Sequence, residues 1–173
     1  MDTRDAIIGR YACRKYTDQQ ITSEQLNALI EAANAAPVGM GDYSGYELVV
    51  IQNEDIRKAI DEGTAHAMPI MGDHPTYRAP TLMFLCVKPN PQFEMIPYCG
   101  ASCIAQNIMI RATDLGLASV YIMAVPTIMQ QKPELLKLLS MSDGFIPIVL
   151  VSVGYAEKAH DANKQNRLKT KII

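Results

Sequence analysis

The stretch Cys99-Gly-Ala-Ser-Cys-Ile-Ala-Gln-Asn-Ile-Met-Ile-Arg-Ala-Thr-Asp-Leu-Gly-Leu-Ala-Ser-Val-Tyr121 is the one around which we expect the chain to be organised. Cys99, Cys103 and Ile110 form one apolar strip along a helix with this sequence. A broader apolar face on the opposite side contains Ala101, Ile104, Ala105, Ile108, Met109, Ala112 and Leu115. Because a helix that is apolar on two sides is usually buried on two sides, the pattern predicts a helix in the middle of the molecule or of a dimer.

The same stretch also predicts where this helix ends. Asp114-Leu-Gly116 places a glycine just after the last turn, where a left-handed backbone conformation commonly ends a helix. Residues 117–122 then form a short apolar run that predicts a buried strand. On composition alone, the simplest interpretation of the stretch is a core helix with no special role.

Length and composition place the chain among ordinary globular proteins. Its 173 residues, with 49% hydrophobic and 20% charged side chains, predict one domain spanning residues 1–173. The net charge of -2 argues against nucleic-acid partners and against a polybasic membrane role. No apolar run is long enough for a membrane span, and the polar start Met1-Asp-Thr-Arg-Asp5 is unlike a signal peptide. A cytoplasmic protein is therefore expected.

The four cysteines predict free thiols rather than a redox or metal motif. Cys13, Cys86, Cys99 and Cys103 form no CxxC pair. Cys86 lies in a strand-like run, and two others lie on the central helix. Buried, reduced thiols in a reducing compartment are the expected state.

A basic segment near the N-terminus is the first chemical signal. Arg10-Tyr-Ala-Cys-Arg-Lys-Tyr16 contains three cations within six residues, directly after a short predicted helix. One interpretation is a solvated basic turn. The other is a phosphate clamp, because arginine offers planar, bidentate donors to phosphate oxygens. Spacing alone does not choose between the two.

The remaining pattern predicts an alternation of helices, strands and loops. Ala36-Pro-Val-Gly-Met-Gly-Asp-Tyr-Ser-Gly45 is a glycine-rich loop, which alone indicates only a turn. Four strands are predicted at about 46–52, 81–87, 118–123 and 145–153. Other predictions are a helix at 22–35 with a Thr22/Gln25 capping box, a helix at 54–62 capped by Asn53, irregular chain at 63–74, a loop at 88–97 and a turn at 124–126.

Together, these segments resemble the nitroreductase-like FMN-dependent oxidoreductases. The string Gly-Ala-x-x-x-Ala-Gln-Asn-x-x-x-x-Ala-x-x-Leu-Gly-Leu-x-Ser resembles their central helix, along which the dimers of the family pack. Arg10, Arg14 and Tyr16 fit the N-terminal motif Arg-x-Ser-x-Arg-x-Tyr/Phe. Ala36-Pro37 resembles the start of the flavin loop, and Val-Gly-Tyr155 resembles the closing phrase of the family. The resemblance covers nearly the whole chain.

Several positions depart from the family pattern. Ala12 stands where the family usually has serine. Val38 and Gly41 replace the serine and asparagine of the flavin loop, and its tryptophan is missing. Backbone amides at Gly39 and Gly41 are expected to replace the missing side-chain contacts.

The resemblance implies a three-layer nitroreductase fold of the α/β (α+β) class. In this fold a central mixed sheet is flanked by helices, and the long central helix lies at a dimer interface. The polar and basic tail, residues 156–173, is expected to wrap the partner subunit. A disordered charged tail is the alternative that composition leaves open.

The resemblance further implies FMN as the cofactor and a homodimer as the assembly. Catalytic side chains and a metal are not expected, because the flavin carries the chemistry. Arg14 or Lys15 is expected near N1 and O2 of the flavin. The residues expected to bind FMN are Arg10, Tyr11, Ala12, Arg14, Pro37, Val38, Gly39, Met40, Gly41, Met123, Ala124, Arg167 and Lys169.

The activity that follows from the resemblance is ping-pong oxidation of NAD(P)H, with hydride passing to flavin N5 and then to a nitroaromatic, quinone or similar planar acceptor. A non-enzymatic flavin carrier or redox sensor is a second hypothesis, because of the departures in the flavin loop. A thiol enzyme is a third, because Cys13 lies between Arg10 and Arg14, and neighbouring cations lower the pKa of a thiol.

Overall fold

The protein contains a four-stranded sheet packed between helices. The computed structural model describes residues 1–158, 160 and 168–173. Within them, the strands lie in the order β1-β2-β4-β3 and each neighbouring pair is antiparallel. Their bounds are close to those predicted: β1 is Tyr46–Ile51, β2 is Thr81–Val87, β3 is Ala118–Ile122 and β4 is Ile146–Gly154.

The expected mixed sheet is not found among the described residues, because all four strands pair antiparallel. The parallel pairing in this part of the chain is one bridge between Ala12 and Ser119, outside the four strands. The connections at 52–80 and 123–145 each return the chain to the end of the sheet where the preceding strand finished, which makes the paired strands antiparallel.

Six α-helices accompany the strands within the described part of the chain. They are α1 (Thr3–Gly9), α2 (Ser23–Asn34), α3 (Glu54–Ala67), α4 (Met95–Asp114), α5 (Ala124–Gln130) and α6 (Pro133–Leu136). The predicted caps of α2 and α3 are confirmed. Thr22 Oγ1 accepts from the amide of Gln25 at 3.2 Å, and the Gln25 side chain accepts from the amide of Thr22 at 2.9 Å. Asn53 Oδ1 accepts from the amide of Ile56 at 3.0 Å.

Three boundaries differ from the sequence prediction. Helix α3 continues to Ala67 instead of ending near 62, with Gly63 inside it, because the Leu135 side chain fills the space beside that glycine. Helix α4 starts at Met95, inside the predicted loop, and α5 replaces the predicted turn at 124–126. Pro97 and Pro126 are each the third residue of their helix, where a missing amide hydrogen removes no helical bond.

Two hydrophobic clusters lie on the two faces of the sheet. One joins α2 and α4 to side chains such as Met83, Leu85 and Val151. The other joins α3, α5 and α6 to side chains such as Leu82 and Phe84. All seven residues of β2 are buried, because both faces of that strand are covered. This is the expected three-layer arrangement of helices, sheet and helices.

The outer face of α4 is exposed in the single chain, which corrects one expectation. Cys99 and Cys103 were expected to be buried, but both are exposed, together with Ser102 and Gln106. The sheet and α2 cover the other sides of the helix and leave this one open. Cys13 and Cys86 are buried, as expected. None of the described helices meets the length and hydropathy needed to span a membrane.

Candidate functional site

The basic segment at residues 10–16 runs along the free edge of β3. The amide of Cys13 donates to the carbonyl of Ser119 at 3.0 Å, which aligns Ala12 beside Ser119. Cys13 is buried, whereas Ala12 and Arg14 are exposed. The backbone of the segment is therefore fixed to the sheet, and the Arg14 side chain is left at the surface.

Tyr16 fastens the far end of this segment. It is buried, and its hydroxyl lies 3.2 Å from the carbonyl oxygens of both Cys13 and Ser152. Next to it, the amide of Thr17 donates to the carbonyl of Tyr155 at 2.9 Å. Burial, followed by the proximity of Cys13, raises the pKa of Tyr16 far above its usual value, so that the phenol remains a hydrogen-bond donor.

Two aromatic side chains lie close to the basic segment. The guanidinium carbon of Arg14 lies 6.0 Å from the ring centroid of Tyr77. The rings of Tyr11 and His160 have centroids 4.2 Å apart and are tilted by 30°. Burial, followed by a hydrogen bond with Cys13, raises the pKa of Tyr11 to about 12, so this phenol is neutral at physiological pH.

Ala12 lacks the serine hydroxyl of the family motif, and the neighbouring strand contains a buried hydroxyl without a hydrogen-bond partner among the described residues. Ser119 Oγ is buried and has no hydrogen-bond partner within the described residues. Buried hydroxyls normally have a partner. Beside this departure from the family motif, the strand that pairs with the basic segment therefore carries a polar atom without a hydrogen bond among the described residues.

The glycine-rich loop at residues 37–41 is packed against the start of α4. A Cβ at Gly39 would overlap the side chain of Ile96. Met40 has φ 58° and is 75% exposed, and Gly41 has φ 66°. The amide of Gly41, expected to face the cofactor, instead donates to the carbonyl of Val38 at 3.1 Å because the turn closes on itself.

This loop and the basic segment lie at opposite ends of α4. Gly39 contacts Ile96 in the first turn, whereas Gly9, directly before Arg10, lies beside Thr113 in the last turn. With a rise of 1.5 Å per residue, these two contact points are about 25 Å apart along the helix. Within one chain, the loop therefore lies far from Arg10, the first residue of the basic segment.

The remaining predicted residues are distributed over two further places. Met123 follows β3 and is exposed, and Ala124 begins α5. The end of β3 lies beside the first half of α4, because the hydroxyls of Tyr121 and Ser102 are 3.2 Å apart. Lys169 is exposed, and Arg167 lies outside the described residues.

The structure disfavours one hypothesis and adds residues that the sequence did not indicate. Cys13 is only 3% exposed and its thiol donates to the carbonyl of Lys15 at 3.2 Å, which is unsuitable for a reactive nucleophile. Tyr77, Ser119 and Ser152 contact the basic segment. Ser119 is the last residue of the central-helix motif, whereas no sequence motif marked Tyr77 or Ser152. No metal-binding group of three or more His, Cys, Asp or Glu occurs in the described part of the chain.

Comparison with known proteins relates these features to others. The family model described as the Nitroreductase family matches residues 7–155. A Methanothermobacter thermautotrophicus protein named "Putative NADH dehydrogenase/NAD(P)H nitroreductase" is 26% identical over 159 residues, covering 90% of this chain and 78% of that protein. The Bacillus subtilis protein "FMN reductase (NADPH)" is 22% identical over 187 residues, covering 99% of this chain and 72% of the relative.

Solved structures share the whole fold. A nitroreductase with bound FMN from Desulfitobacterium hafniense superposes with a TM-score of 0.86 at 22% identity, covering 100% of this chain and 99% of that chain. A nitroreductase with bound FMN from Bacteroides fragilis gives a TM-score of 0.85 at 25% identity, with coverage of 100% and 98%. The similarity therefore extends over both chains almost completely.

Proposed function

Because the chain belongs to the nitroreductase family, we propose that it is an FMN-dependent oxidoreductase that takes electrons from NAD(P)H and passes them to a small planar acceptor. The family match over residues 7–155 is the observation that carries this proposal. Support comes from the two FMN-bound nitroreductases with the same fold and from the relative named as an FMN reductase. A nitroaromatic or a quinone is the expected class of acceptor.

Arg10 and Arg14 fit the phosphate of FMN. Neither forms an ion pair with a carboxylate among the described residues. Their backbone is fixed at Cys13 and Tyr16, so little backbone freedom is lost when they bind an anion. Two guanidinium groups with free donors on a fixed backbone are suited to bidentate phosphate contacts.

The flavin, when bound, supplies the hydride chemistry. The chain holds it, balances its charge and positions two planar substrates against it. Tyr11 remains a neutral phenol because its pKa is raised to about 12, so it adds no negative charge beside the phosphate. The exposed Met123 offers an adaptable apolar surface at the end of β3, where a planar molecule can pack.

Two chains are proposed to complete each site. The 25 Å separation along α4 keeps residues 37–41 away from Arg10 of the same chain. An isologous homodimer packed along the outer face of α4 brings the loop of one subunit towards the basic segment of the other. That face carries Tyr98, Cys99, Ser102, Cys103 and Gln106, all of which are exposed in the single chain.

Thiol labelling tests this interface directly. If the outer face of α4 is covered, Cys99 and Cys103 resist maleimide in the native assembly and react after dissociation. A Cys99→Ser, Cys103→Ser variant supplies the matched control for the two buried thiols, Cys13 and Cys86. Light scattering on the flavin-reconstituted sample gives the subunit count. A stable monomer with flavin bound would contradict the two-chain site.

The single domain is proposed to end in a tail that packs on the partner subunit. Leu168, Ile172 and Ile173 are almost fully exposed in the single chain, although all three are large and apolar. Strand β1 lies at the edge of the sheet, and its outer side has no strand partner in the described part of the chain. In this arrangement Lys169, and Arg167 among the residues not described, bring further positive charge to the phosphate. A cytoplasmic location stays a prediction from composition.

Steady-state kinetics tests the reaction. The nicotinamide and the acceptor both need to stack on the same ring system, so they occupy one place in turn. Initial rates with NADH or NADPH against menadione and a nitroaromatic are therefore expected to give parallel double-reciprocal lines. Intersecting lines would contradict the proposal that the nicotinamide and the acceptor bind in turn at the same place. Tightly bound FMN without oxidation of either nicotinamide would favour a flavin carrier instead.

A further inference from the structure

Two consecutive residues shortly before β2 adopt a left-handed backbone conformation. Tyr77 has φ 58° and Arg78 has φ 53°. This region is unfavourable for residues that carry a Cβ, and two such residues in succession are uncommon. Strain of this kind persists where the surrounding structure imposes it, and it concentrates at functional sites. The pair forms a corner, here called the Tyr77–Arg78 corner.

Hydrogen bonds on both sides impose this conformation. The amide and the hydroxyl of Thr76 donate to Asp61 Oδ1 at 2.9 and 2.7 Å, and Asp61 is buried. Ser152 Oγ donates to the carbonyl of Thr76 at 3.1 Å. After the corner, Arg57 Nη1 donates to the carbonyl of Ala79 at 3.1 Å. The backbone on each side of the corner is therefore fixed to α3 or β4.

The side chains of Tyr77 and Arg78 lie in different surroundings. The half-buried Tyr77 ring lies 6.0 Å from the guanidinium carbon of Arg14, within cation–π range. Arg78 instead lines a separate cavity of about 450 Å³, together with Arg57 and His74. The Tyr77 ring is thus the side of the corner that reaches the basic segment.

Ser152 forms hydrogen bonds with residues close to both partners of this contact. Its hydroxyl donates to Thr76, next to the corner, and its carbonyl accepts from Tyr16, two residues after Arg14. Ser152 itself is fully buried in β4. A neighbour of the ring, Thr76, and a neighbour of the guanidinium, Tyr16, are therefore bonded to the same residue of a central strand.

We propose that Tyr77 is a positioning residue of the cofactor site, whose ring holds the Arg14 guanidinium in the orientation that binds the flavin. The inference rests on the proposed FMN function and extends it to a residue outside the basic motif. An exposed arginine has several rotatable bonds, and a ring against its guanidinium reduces the conformational freedom lost on binding.

Glycine substitutions at the two positions make a matched pair. Both Tyr77→Gly and Arg78→Gly relieve the left-handed strain, because glycine adopts positive φ without a steric penalty. Only the first removes the ring. A cation–π contact at an exposed site corresponds to about a two- to fivefold change in affinity. Tyr77→Gly is expected to weaken FMN binding to this extent, and Arg78→Gly and Tyr77→Phe are expected to leave it unchanged.

A double-mutant cycle separates positioning from a structural role. FMN is titrated into each apoprotein by fluorescence quenching, and thermal unfolding of the apoproteins checks folding. In an Arg14→Ala background, Tyr77→Gly is expected to cause no further loss of affinity. Additive losses, or equal affinity of Tyr77→Gly and wild type, would overturn the inference while the flavin function stands. A wild-type protein that binds no FMN would overturn both.

Discussion

The hydroxyl of Tyr16 lies 3.2 Å from the carbonyl oxygen of Ser152, although 136 positions separate the two residues in the chain. The same hydroxyl is 3.2 Å from the carbonyl of Cys13, so one phenolic hydrogen is shared between the N-terminal segment and β4. This contact joins the basic motif to a strand in the middle of the sheet. The surface that we propose for phosphate binding is thereby attached to the most buried part of the molecule.

Removal of this hydroxyl is expected to destabilise the protein. Tyr16→Phe keeps the ring but leaves two carbonyl oxygens without their donor, at a cost of about 1 kcal/mol. For a chain of this size, that corresponds to a decrease in Tm of about 2–4 °C. Tyr77→Phe is the control, because the hydroxyl of Tyr77 makes no hydrogen bond within the described residues and the residue lies outside the proposed dimer face. Equal Tm values for both variants would show that the shared hydrogen contributes nothing.

A methyl group at Gly154 is expected to disturb the same region. Its Cβ would lie 2.6 Å from Pro80 Cδ and 3.1 Å from Tyr16 Cδ1, and a proline ring cannot rotate away. Overpacking of this kind costs about 1–3 kcal/mol. Gly154→Ala should therefore lower the free energy of unfolding, measured in urea, and weaken FMN binding through Tyr16. Gly45→Ala, with no atom near the added Cβ, should change neither quantity.

Restoration of the serine of the family motif is expected to stabilise the protein. Directly paired residues of neighbouring strands have side chains on the same face, so a hydroxyl at residue 12 can reach Ser119 Oγ. Ala12→Ser should then add about 0.5–1.5 kcal/mol by satisfying the buried hydroxyl. The same change in a Ser119→Ala background should add nothing. A gain that persists in this background would place the new hydroxyl elsewhere.

Alkaline pH is expected to destabilise the protein through Cys86. Burial, followed by the negative charge of Glu47 on the paired strand, raises the pKa of this thiol to about 12. The unfolded thiol titrates near 8.5, so the folded state binds the proton more tightly between these values. Stability is therefore complete below about pH 8.5 and decreases by up to about 1.4 kcal/mol per pH unit above it.

The measurement compares the pH slopes of two proteins. Urea unfolding at pH 8 and pH 10 should show a larger loss of stability for the wild type than for Cys86→Ala, because the variant has no thiol to titrate. Tyrosines also titrate in this range, but they are common to both proteins. Identical slopes would mean that the thiolate is tolerated at this position.

Local signals in the sequence predicted local structure correctly. The Thr22/Gln25 capping box and the Asn53 cap depend on residues three positions apart, and both form as predicted. Apolar runs likewise located the four strands, and the predicted and observed ends differ by about one residue at most. Predictions based on proline and glycine were wrong at two boundaries. Pro97 lies in the first turn of α4, which tolerates it, and Gly63 lies inside α3, where Leu135 packs against it.

Features that depend on distant residues were not readable from the sequence. Nothing in Tyr77-Arg78 indicates positive φ, because Asp61 and Ser152 impose it from elsewhere in the chain. The basic motif was visible in advance through its spacing, whereas the ring beside Arg14 was not. The exposed strip at Cys99 and Cys103 looked like core because its residues are apolar, and only the packing of α2 and the sheet shows which side is left open.

The distance between the two ends of α4 has a genetic consequence. If each site takes Arg14 from one chain and residues 37–41 from the other, then two different inactive variants can complement each other. Arg14→Ala damages one half of a site, and Gly39→Val, which collides with Ile96, damages the other. A mixed dimer of these chains contains one doubly damaged site and one intact site. Subunit exchange between two inactive preparations would then generate an active enzyme.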